Sequence, residues 1–322
     1  MLVMATVFPM IQAVNVNKKE TTISSPESNS VAWNKTYGGP EFDELRCVQE
    51  TADGGYIACG ETELSNNFYP WVLKVDAAGN EEWNWTMTQF YYNDTYYDIV
   101  DAYLICIQQV NDGGYVVGLQ LYFMLNTEEL AFGGLAKLNA AGAEEWVQMY
   151  AEEFSWSFIT NSLIVEDDGY LLVGISGAPE LTAPDTAAAI LKTDTNGVEQ
   201  WHQEYQYSSG YDYGFGVCRT TDNGYLITGY VEITSNNNDY WMIKTDANGN
   251  EQWNKTFGGP KSDPSNIGNC YQTSDGGYIQ GGDTYSFGAG NSDLWMVKTD
   301  SSGTMDWNKT YGDSSLDYMW EF

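Results

Sequence analysis

The stretch KTDANGNEQW, Lys244–Trp253, recurs along the chain and decides the fold class. The other copies read KVDAAGNEEW, KLNAAGAEEW, KTDTNGVEQW and KTDSSGTMDW, and each places a lysine nine residues before a tryptophan. The oxygens of Asp246, Asn248 and Asn250 suggest a calcium loop, but the EF-hand positions for glycine and glutamate do not match. All copies share Asp or Asn, then Gly three residues on, then Trp, which predicts a tight turn before a strand. The repeated pairs are Lys74/Trp83, Lys137/Trp146, Lys192/Trp201, Lys244/Trp253 and Lys298/Trp307.

A second phrase, DGGY, lies between these copies at 53–56, 112–115 and 275–278, with variants that end at Tyr170 and Tyr225. With an additional Trp33, the phrases define five complete units of roughly 50 to 63 residues. Each unit is interpreted as four short strands: a Trp strand, a strand into DGGY, a strand leaving it, and the Lys strand. Serial units of this kind predict an all-β chain that forms a β-propeller of four-stranded blades.

The number of blades follows less directly from the repeats. Five complete repeats are followed by a partial sixth that begins at Trp307, so a five-bladed or a six-bladed propeller is expected. A β-sandwich is the next alternative, but it does not explain near-identical units. A solenoid fits less well, because its repeats are usually shorter.

The repeats also resemble a known group. They are similar to the tandem W-x-K-T-Y-G-G, D-G-G-Y and K-T-D-x-x-G-x-x-x-W repeats of secreted and surface proteins of archaea and bacteria. The resemblance covers the chain from Trp33 to about residue 320. It implies a propeller at a cell surface and no particular chemistry. The D-x-x-G-x-x-x-W part is also similar, more distantly, to quinoprotein propeller repeats.

The charge of the chain excludes some partners. The 45 acidic residues outweigh the 13 basic residues, for a net charge of −32. Such a chain repels nucleic acid, and no basic patch offsets this. A single histidine and the lack of any C-x-x-C pattern argue against a zinc site or a serine triad. No cofactor is predicted, and weak, incidental Ca²⁺ binding at acidic loops is the only cation interaction left open.

Three segments are expected. Residues 1–17 contain an apolar run typical of a secretory signal core, residues 18–32 form a polar linker, and residues 33–322 form the repeat domain. The apolar run is too short to cross a bilayer, and no other stretch offers a membrane-spanning segment. A secreted or cell-surface protein is therefore expected.

The two ends of each four-stranded unit differ in sequence. The DGGY turn and the Asp-x-x-Gly turn keep their lengths and share one face, whereas the loops of the opposite face vary in length and hold the surplus tyrosines. Binding residues tend to lie in variable loops on a rigid scaffold, and tyrosine suits sugar or peptide contact. The alternative is that these aromatic residues fill the space between blades. The candidate ligand-binding residues are Tyr91, Tyr92, Tyr96, Tyr97, Asp98, Asp101, Tyr207, Tyr211, Asp212 and Tyr213.

Several other repeated residues are interpreted as structural. The aspartates 43, 212, 263 and 317 recur at one register, which favours a loop-closing hydrogen bond over a ring of metal ligands or catalytic acids. The five repeat lysines are expected to pair with neighbouring acids.

Two covalent modifications are predicted from the sequence. Cys47 and Cys59 flank the first DGGY turn and predict a disulfide across that hairpin. Asn93 begins a glycosylation sequon that lies outside the repeat register, within the tyrosine-rich loop.

The sequence therefore favours a non-catalytic binding, adhesion or display scaffold whose partner is a glycan, cell-wall material or a surface protein. One alternative is a propeller glycosidase or lyase that uses acids on the variable face, for which the separation of two carboxyl groups would decide the chemistry. Another is an architectural repeat of a longer surface protein. An enzyme is expected to gather acids that the other units lack, whereas a binding module is expected to present an open aromatic surface.

Overall fold

The computed structural model describes residues 33–152, 156–177, 186–235, 237–264 and 270–317. The predicted signal-like segment and polar linker, residues 1–17 and 18–32, lie outside these residues. The described chain contains 21 β-strands and no helix, so the all-β prediction is confirmed. Nearly all of these strands belong to antiparallel groups of four in which sequence neighbours pair.

We call these groups units 1 to 5 in chain order. Unit 1 comprises β1 (Asp43–Glu50), β2 (Tyr56–Leu64), β3 (Asn67–Val75) and β4 (Glu81–Thr86). Unit 2 comprises β6 (Thr95–Gln109), β7 (Tyr115–Leu125), β8 (Glu128–Leu138) and β9 (Glu144–Glu152), and it is preceded by the short β5 (Gln89–Tyr92). Unit 3 comprises β10 (Trp156–Glu166), β11 (Gly169–Gly177), β12 (Thr186–Thr193) and β13 (Glu199–Tyr205).

Unit 4 comprises β14 (Asp212–Arg219), β15 (Tyr225–Thr234), β16 (Asn237–Thr245) and β17 (Glu251–Phe257). Unit 5 comprises β18 (Cys270–Gln272), β19 (Tyr278–Thr284), β20 (Asp293–Thr299) and β21 (Met305–Tyr311). Units 1, 4 and 5 are separate sheets, whereas β5, unit 2 and unit 3 form one continuous nine-stranded order. The hydrogen-bonded pairing that continues this order from unit 2 into unit 3 is that of Glu152 and Ala151 with Trp156 and Ser157.

The position of the Trp strand differs from the interpretation of the sequence. The repeat pattern predicts this strand as the first of each unit, but the structure makes it the last strand of the sheet that contains the preceding lysine. In unit 4, Lys244 lies directly opposite Trp253 in the antiparallel pair of β16 and β17. The Asp-x-x-Gly turn is therefore a hairpin turn within one sheet and does not join two units.

The geometry of this turn agrees with the prediction from its sequence. Asp246 accepts hydrogen bonds from the backbone N–H groups of Asn248 (2.8 Å) and Asn250 (2.9 Å). Gly249 has a φ of 77°, a left-handed value that glycine adopts without steric cost. An Asx-type start and a left-handed glycine thus form this turn, and the side-chain oxygens are used in closing it.

The repeat lysines are buried at the same end of the sheets. Lys244 is 2 % exposed, and its Nζ lies 2.8 Å from Asp222 in the DGGY-type turn. Lys74 makes the same contact with Asp53 (3.0 Å) and adds Glu82 (2.7 Å). Equivalent ion pairs join Lys137 to Asp112, Lys192 to Asp168 and Lys298 to Asp275. Each lysine therefore ties the two turns of its sheet together, as expected for a structural role.

Successive units pack through an aromatic ridge, which we define as the repeat tryptophan and the residues two and four positions after it. In unit 3 the ridge is Trp201, Gln203 and Tyr205. A β-carbon added at Gly249 of unit 4 would lie 2.7 Å from the Trp201 ring and 3.0 Å from the Gln203 stem. Tyr205 donates a hydrogen bond to the carbonyl of Gly249 (2.5 Å). The ridge of one unit thus covers the Asp-x-x-Gly turn of the next, which we call the acceptor turn.

The same contact recurs along the chain. A β-carbon at the acceptor-turn glycine would lie 2.5 to 2.8 Å from a tryptophan ring atom in every case. The pairs are Trp33/Gly79, Trp83/Gly142, Trp146/Gly197, Trp201/Gly249 and Trp253/Gly303. The ridge tryptophan also contacts the DGGY tyrosine of the next unit, as in Trp253 and Tyr278, whose ring centroids are 5.7 Å apart. Close backbone approach explains why this position requires glycine.

Candidate functional site

The tyrosine-rich insertion forms a hairpin that stands out from unit 2. β5 pairs with the start of β6 around the two-residue turn Asn93–Asp94, whose φ values are 47° and 61°. Two-residue turns with positive φ at both positions are favoured in hairpins, because their backbone twist matches the twist of the paired strands. The side chains of Tyr91 and Tyr96 are opposite each other, 55 % and 68 % exposed, with ring centroids 5.0 Å apart. The hairpin therefore presents a paired aromatic surface to solvent.

The other two tyrosines of the hairpin face inward. Successive residues of a strand point to opposite sides, so Tyr92 and Tyr97 lie on the side opposite to Tyr91 and Tyr96. Tyr97 stacks on Phe90, with ring centroids 5.5 Å apart, and Tyr92 donates a hydrogen bond to the carbonyl of Ala151 (2.8 Å). Both belong to the apolar packing of unit 2. These two predicted ligand residues pack the hairpin against unit 2, and Tyr91 and Tyr96 are its exposed aromatic side chains.

The two acids of this insertion lie in different settings. Asp98 is exposed and accepts a hydrogen bond from Gln89 (2.6 Å) across the hairpin. Asp101 is half-buried and accepts hydrogen bonds from the N–H of Ala102 (2.8 Å) and the hydroxyl of Tyr103 (3.3 Å). Burial raises the pKa of Asp101 above its ordinary value.

The second predicted loop, between β13 and β14, presents two exposed tyrosines. Tyr207 is 50 % exposed and Tyr211 is 38 % exposed. Tyr213 instead stacks against Phe215, with ring centroids 5.9 Å apart, and burial raises its pKa. Asp212 is fully buried and accepts hydrogen bonds from the N–H groups of Tyr207 (2.6 Å) and Ser208 (2.9 Å). Asp212 therefore closes the loop, and its carboxylate does not face solvent.

The loop-closing contact of Asp212 is shared by the other aspartates at this register. Each accepts a hydrogen bond from the backbone N–H four residues earlier: Gly39 to Asp43, Gly259 to Asp263 and Asp313 to Asp317. This geometry agrees with the structural interpretation of the recurrence. The recurrent acids are occupied by their own loops, and the described residues contain no group of three or more acid, histidine or cysteine side chains suited to a metal ion.

An ionic cluster between units 1 and 2 was not found by sequence reasoning. Arg46 makes a two-pronged contact with Glu61 through Nε (2.9 Å) and Nη2 (2.5 Å), and it also contacts Glu44 (2.8 Å). The guanidinium lies 5.3 Å from the centre of the Tyr103 ring. Glu61 has a side chain only 3 % exposed, and burial raises its pKa although the hydrogen bonds from Arg46 oppose the shift. Two carboxyl groups therefore contact this arginine, and a third, Asp101, accepts a hydrogen bond from the neighbouring Tyr103.

This cluster extends into an aromatic wall. Tyr122 is directly opposite Asp101 in the pairing of β6 with β7, and its ring lies 5.6 Å from that of Tyr103. Burial raises the pKa of Tyr122 to about 12, with smaller effects from Tyr103, Asp101 and Tyr213 of unit 4. Side chains of units 1, 2 and 4 therefore approach one common region.

One feature of the sequence points to this cluster. The residue five positions after the DGGY tyrosine differs in every unit although the strands around it are similar: Glu61, Gln120, Ile175, Tyr230 and Asp283. A residue that varies between units, within a strand whose other residues are similar, is not required by the repeated fold. The partner Arg46 gives no such signal, because it lies at an irregularity in the pairing of β1 with β2.

A cleft of about 650 Å³ lies on the opposite face, between the turns of units 3 and 4. Glu166 lines this cleft, accepts a hydrogen bond from the hydroxyl of Tyr225 (2.9 Å), and lies 3.3 Å from Arg219 and 3.5 Å from Lys192. Asp168 forms the ion pair with the repeat lysine Lys192 (2.7 Å) that the turn aspartates form in the other units. The constant turn lengths predict scaffold alone on this face. Its charged groups are largely paired with each other, so we do not place the ligand site here.

The predicted modification sites lie as follows. Cys47 and Cys59 are directly opposite each other in the pairing of β1 with β2, as the hairpin prediction requires, and the structure holds both as thiols without a disulfide bond. Burial raises the pKa of the Cys59 thiol. Asn93 is exposed at the tip of the tyrosine hairpin, which is accessible to a glycosylating enzyme.

No known protein-family model matches the chain, and no curated protein matches it either. No helix in the described ranges has the length and apolarity needed to cross a bilayer.

Proposed function

We propose that this protein is a non-catalytic binding scaffold whose ligand contacts the exposed tyrosine pair of the β5–β6 hairpin. The observation that supports this proposal is the exposure of Tyr91 (55 %) and Tyr96 (68 %). The hairpin that carries them packs against buried residues of unit 2. A large aromatic pair in water has no role in packing the sheets. A rigid hairpin that presents two rings side by side is suited to contact an apolar, flat ligand surface.

The proposed ligand class is a neutral glycan. Tyrosine combines a flat apolar ring with a hydroxyl group, which fits the apolar face and the hydroxyls of a sugar ring. The chain carries a net charge of −32, which disfavours anionic partners at ordinary ionic strength. The neighbouring Asp94 and Asp98 add acceptors for sugar hydroxyls, although Asp94 also accepts a hydrogen bond from Tyr91 (3.1 Å). A surface protein with an exposed apolar and basic patch is the other partner compatible with this chemistry.

The proposed arrangement of the units is a β-propeller with at least five blades. It is supported by the serial four-stranded units and by ridge contacts that link each unit to the next. The effect of Tyr213 on Tyr122 further supports it, because side chains from non-adjacent units then face a shared central region. In such an array the variable loops of all blades share one face, where the hairpin projects. Secretion or surface display is proposed from the apolar run within residues 1–17.

The binding proposal is tested by an array of neutral and charged glycans, followed by titration of the best glycan. We expect Tyr91→Ala combined with Tyr96→Ala to weaken binding by about tenfold or more, since stacking of each ring contributes about 1 kcal/mol. Tyr271→Ala in β18 is the matched control, because this tyrosine is 51 % exposed on another unit. Equal binding by the hairpin variant and the control would show that the hairpin is not the site.

A second candidate function, glycoside cleavage, is favoured by one observation. Glu61 and Asp101, two acids of the cluster at Arg46, both have a pKa raised by burial. A carboxyl group whose pKa is raised keeps its proton to higher pH, which is the property that a general acid needs. If the chain cleaves glycans, Asp101→Asn is expected to abolish product release in a reducing-end assay while glycan binding persists. Unchanged binding with no product from the native protein would exclude this candidate.

A further inference from the structure

The last aromatic ridge of the described chain has no acceptor turn over it. Trp307, Lys309 and Tyr311 of β21 occupy the ridge positions of unit 5. Trp307 is 38 % exposed and Tyr311 is 47 % exposed, whereas the equivalent Tyr150 and Tyr205 are 5 % and 6 % exposed beneath the next unit. Every side chain of β21 is exposed. Among the described units, only unit 5 presents its ridge to solvent.

The same five residues occur at the other end of the repeat array. Residues 33–37 and 307–311 both read WNKTY. The first copy lies on the acceptor turn of unit 1, Asp76–Asn80: Trp33 donates a hydrogen bond to the carbonyl of Ala77 (3.0 Å), and Tyr37 donates one to the carbonyl of Gly79 (2.7 Å). These are contacts that a ridge from a preceding sheet would make. Residues 33–37 thus make the contacts of a ridge although they belong to no strand of the described part of the chain.

We propose that the acceptor turn of unit 1 binds the β21 ridge of a second copy of this chain, which displaces residues 33–37. The two segments have the same sequence, so each contact of Trp33, Lys35 and Tyr37 has an equivalent from Trp307, Lys309 and Tyr311. The resulting contact is head-to-tail, because the ridge and the acceptor turn lie on different ends of the array. The partner is a copy of this protein, and the interface continues the one that already joins unit to unit.

Local charge favours this docking. Lys35 donates a hydrogen bond to Asn80 (2.6 Å), and its positive charge contributes to the lowered pKa of Asp76 after the larger effect of Asn80. Lys309 brings the same charge and already lies 5.5 Å from the Trp307 ring centre. The net charge of −32 on each copy opposes association at long range. Salt screens this long-range repulsion, so association is expected to strengthen with ionic strength.

The two segments that compete for the acceptor turn of unit 1, β21 and residues 33–37, also differ in secondary structure. β21 is paired with β20 along Leu294–Thr299, so its ridge is held in an extended form before docking. Residues 33–37 belong to no assigned strand, but they are tethered next to the acceptor turn. A short tether gives an effective concentration in the millimolar range, which makes the attached segment a strong competitor. Removal of this competitor should therefore reveal the association.

The test measures association by sedimentation velocity over roughly a hundredfold range of protein concentration. We expect Trp33→Ala with Tyr37→Ala to associate at least about tenfold more tightly than the native chain, because the tethered competitor is lost. Adding Trp307→Ala and Tyr311→Ala to that variant should return it to a monomer. These two β21 side chains are exposed, so their loss leaves the fold intact, and Tyr271→Ala controls for loss of an exposed aromatic residue.

A charge variant provides a second test that does not remove the aromatic side chains of residues 33–37, whose loss could disturb the folding of unit 1. Lys35→Glu keeps the ridge aromatics but places a negative charge near Asp76, so it should also promote association, and adding Lys309→Glu should reverse it. Circular dichroism checks that each variant keeps its β structure. The proposal is overturned if the Trp33/Tyr37 and Lys35 variants remain monomeric at every concentration, as they would if β21 of the same molecule covered the acceptor turn. It is also overturned if association persists without Trp307 and Tyr311.

Discussion

Replacement of Gly249 by alanine is expected to destabilise the protein by about 3 to 4 kcal/mol. Two costs combine at this position. The φ of 77° is unfavourable for any residue with a β-carbon, and that carbon would lie 2.7 Å from the Trp201 ring and 3.0 Å from Gln203. The neighbouring unit must then shift away from the acceptor turn. Urea unfolding of the native and variant proteins measures the loss.

Gly276→Ala is the matched control for this experiment. Gly276 has a φ of 85°, but a β-carbon there would meet no heavy atom within 4 Å. Only the backbone cost of about 1 kcal/mol is expected. If the two alanine variants lose the same stability, close packing of the aromatic ridge does not explain the acceptor-turn glycine.

Asp239→Asn is expected to stabilise the protein at neutral pH by on the order of 2 kcal/mol. The Oδ1 atom of Asp239 is buried without a hydrogen-bond partner in the described structure. Burial, and then the negative charge of Asp263, raises the pKa of Asp239 to about 6. Asp263 accepts hydrogen bonds from Gly259, Thr284 and two further backbone N–H groups, whereas the Oδ1 atom of Asp239 accepts none. Asp239 is therefore the member of the pair that is costly to ionise.

The sign of the pH dependence follows from the raised pKa. The folded state binds the Asp239 proton more tightly than the unfolded chain, whose aspartate pKa is about 3.9. The contribution to stability is present below pH 4 and is lost as the pH rises through about 6. Unfolding free energies of native protein and Asp239→Asn should thus agree near pH 4 and separate above pH 6.

Asp293→Asn serves as the comparison for this titration. Asp293 holds the equivalent position in unit 5, at the start of β20, but its carboxylate accepts a hydrogen bond from the N–H of Gly290 (2.9 Å). No gain in stability is expected from that change. A similar gain from both variants would mean that general charge reduction, and not the unpaired oxygen of Asp239, sets the effect.

The repeat could be predicted from sequence because its turns are determined locally. Asp246, Gly249 and Trp253 define an Asx start, a left-handed residue and a return strand within one hairpin. The grouping of strands into sheets was not determined in this way, because a repeating pattern gives the period but not where each sheet begins. The structure was needed to show where each sheet ends, through the pairing of Lys244 with Trp253 in neighbouring strands of one sheet.

Some features of the candidate site could also be predicted from local sequence, and others could not. Alternation along a strand separates exposed Tyr91 from partly buried Tyr92, and a period of two in the sequence is enough to predict this. The contact between Arg46 and Glu61 could not be predicted, because it depends on an irregular pairing between two strands. Asp212 shows that a recurrent acid beside exposed tyrosines can be fully used in closing its own loop.

The ridge contacts also bear on how the protein melts. The aromatic ridge joins each unit to the one that follows it, so the free energy of the array approximates a sum of nearest-neighbour terms. A defect at the contact between Trp201 and Gly249 interrupts the coupling of units 1 to 3 with units 4 and 5. Calorimetry of such a variant would then record two melting transitions in place of one, and the position of the defect along the chain would determine the size of each cooperative block.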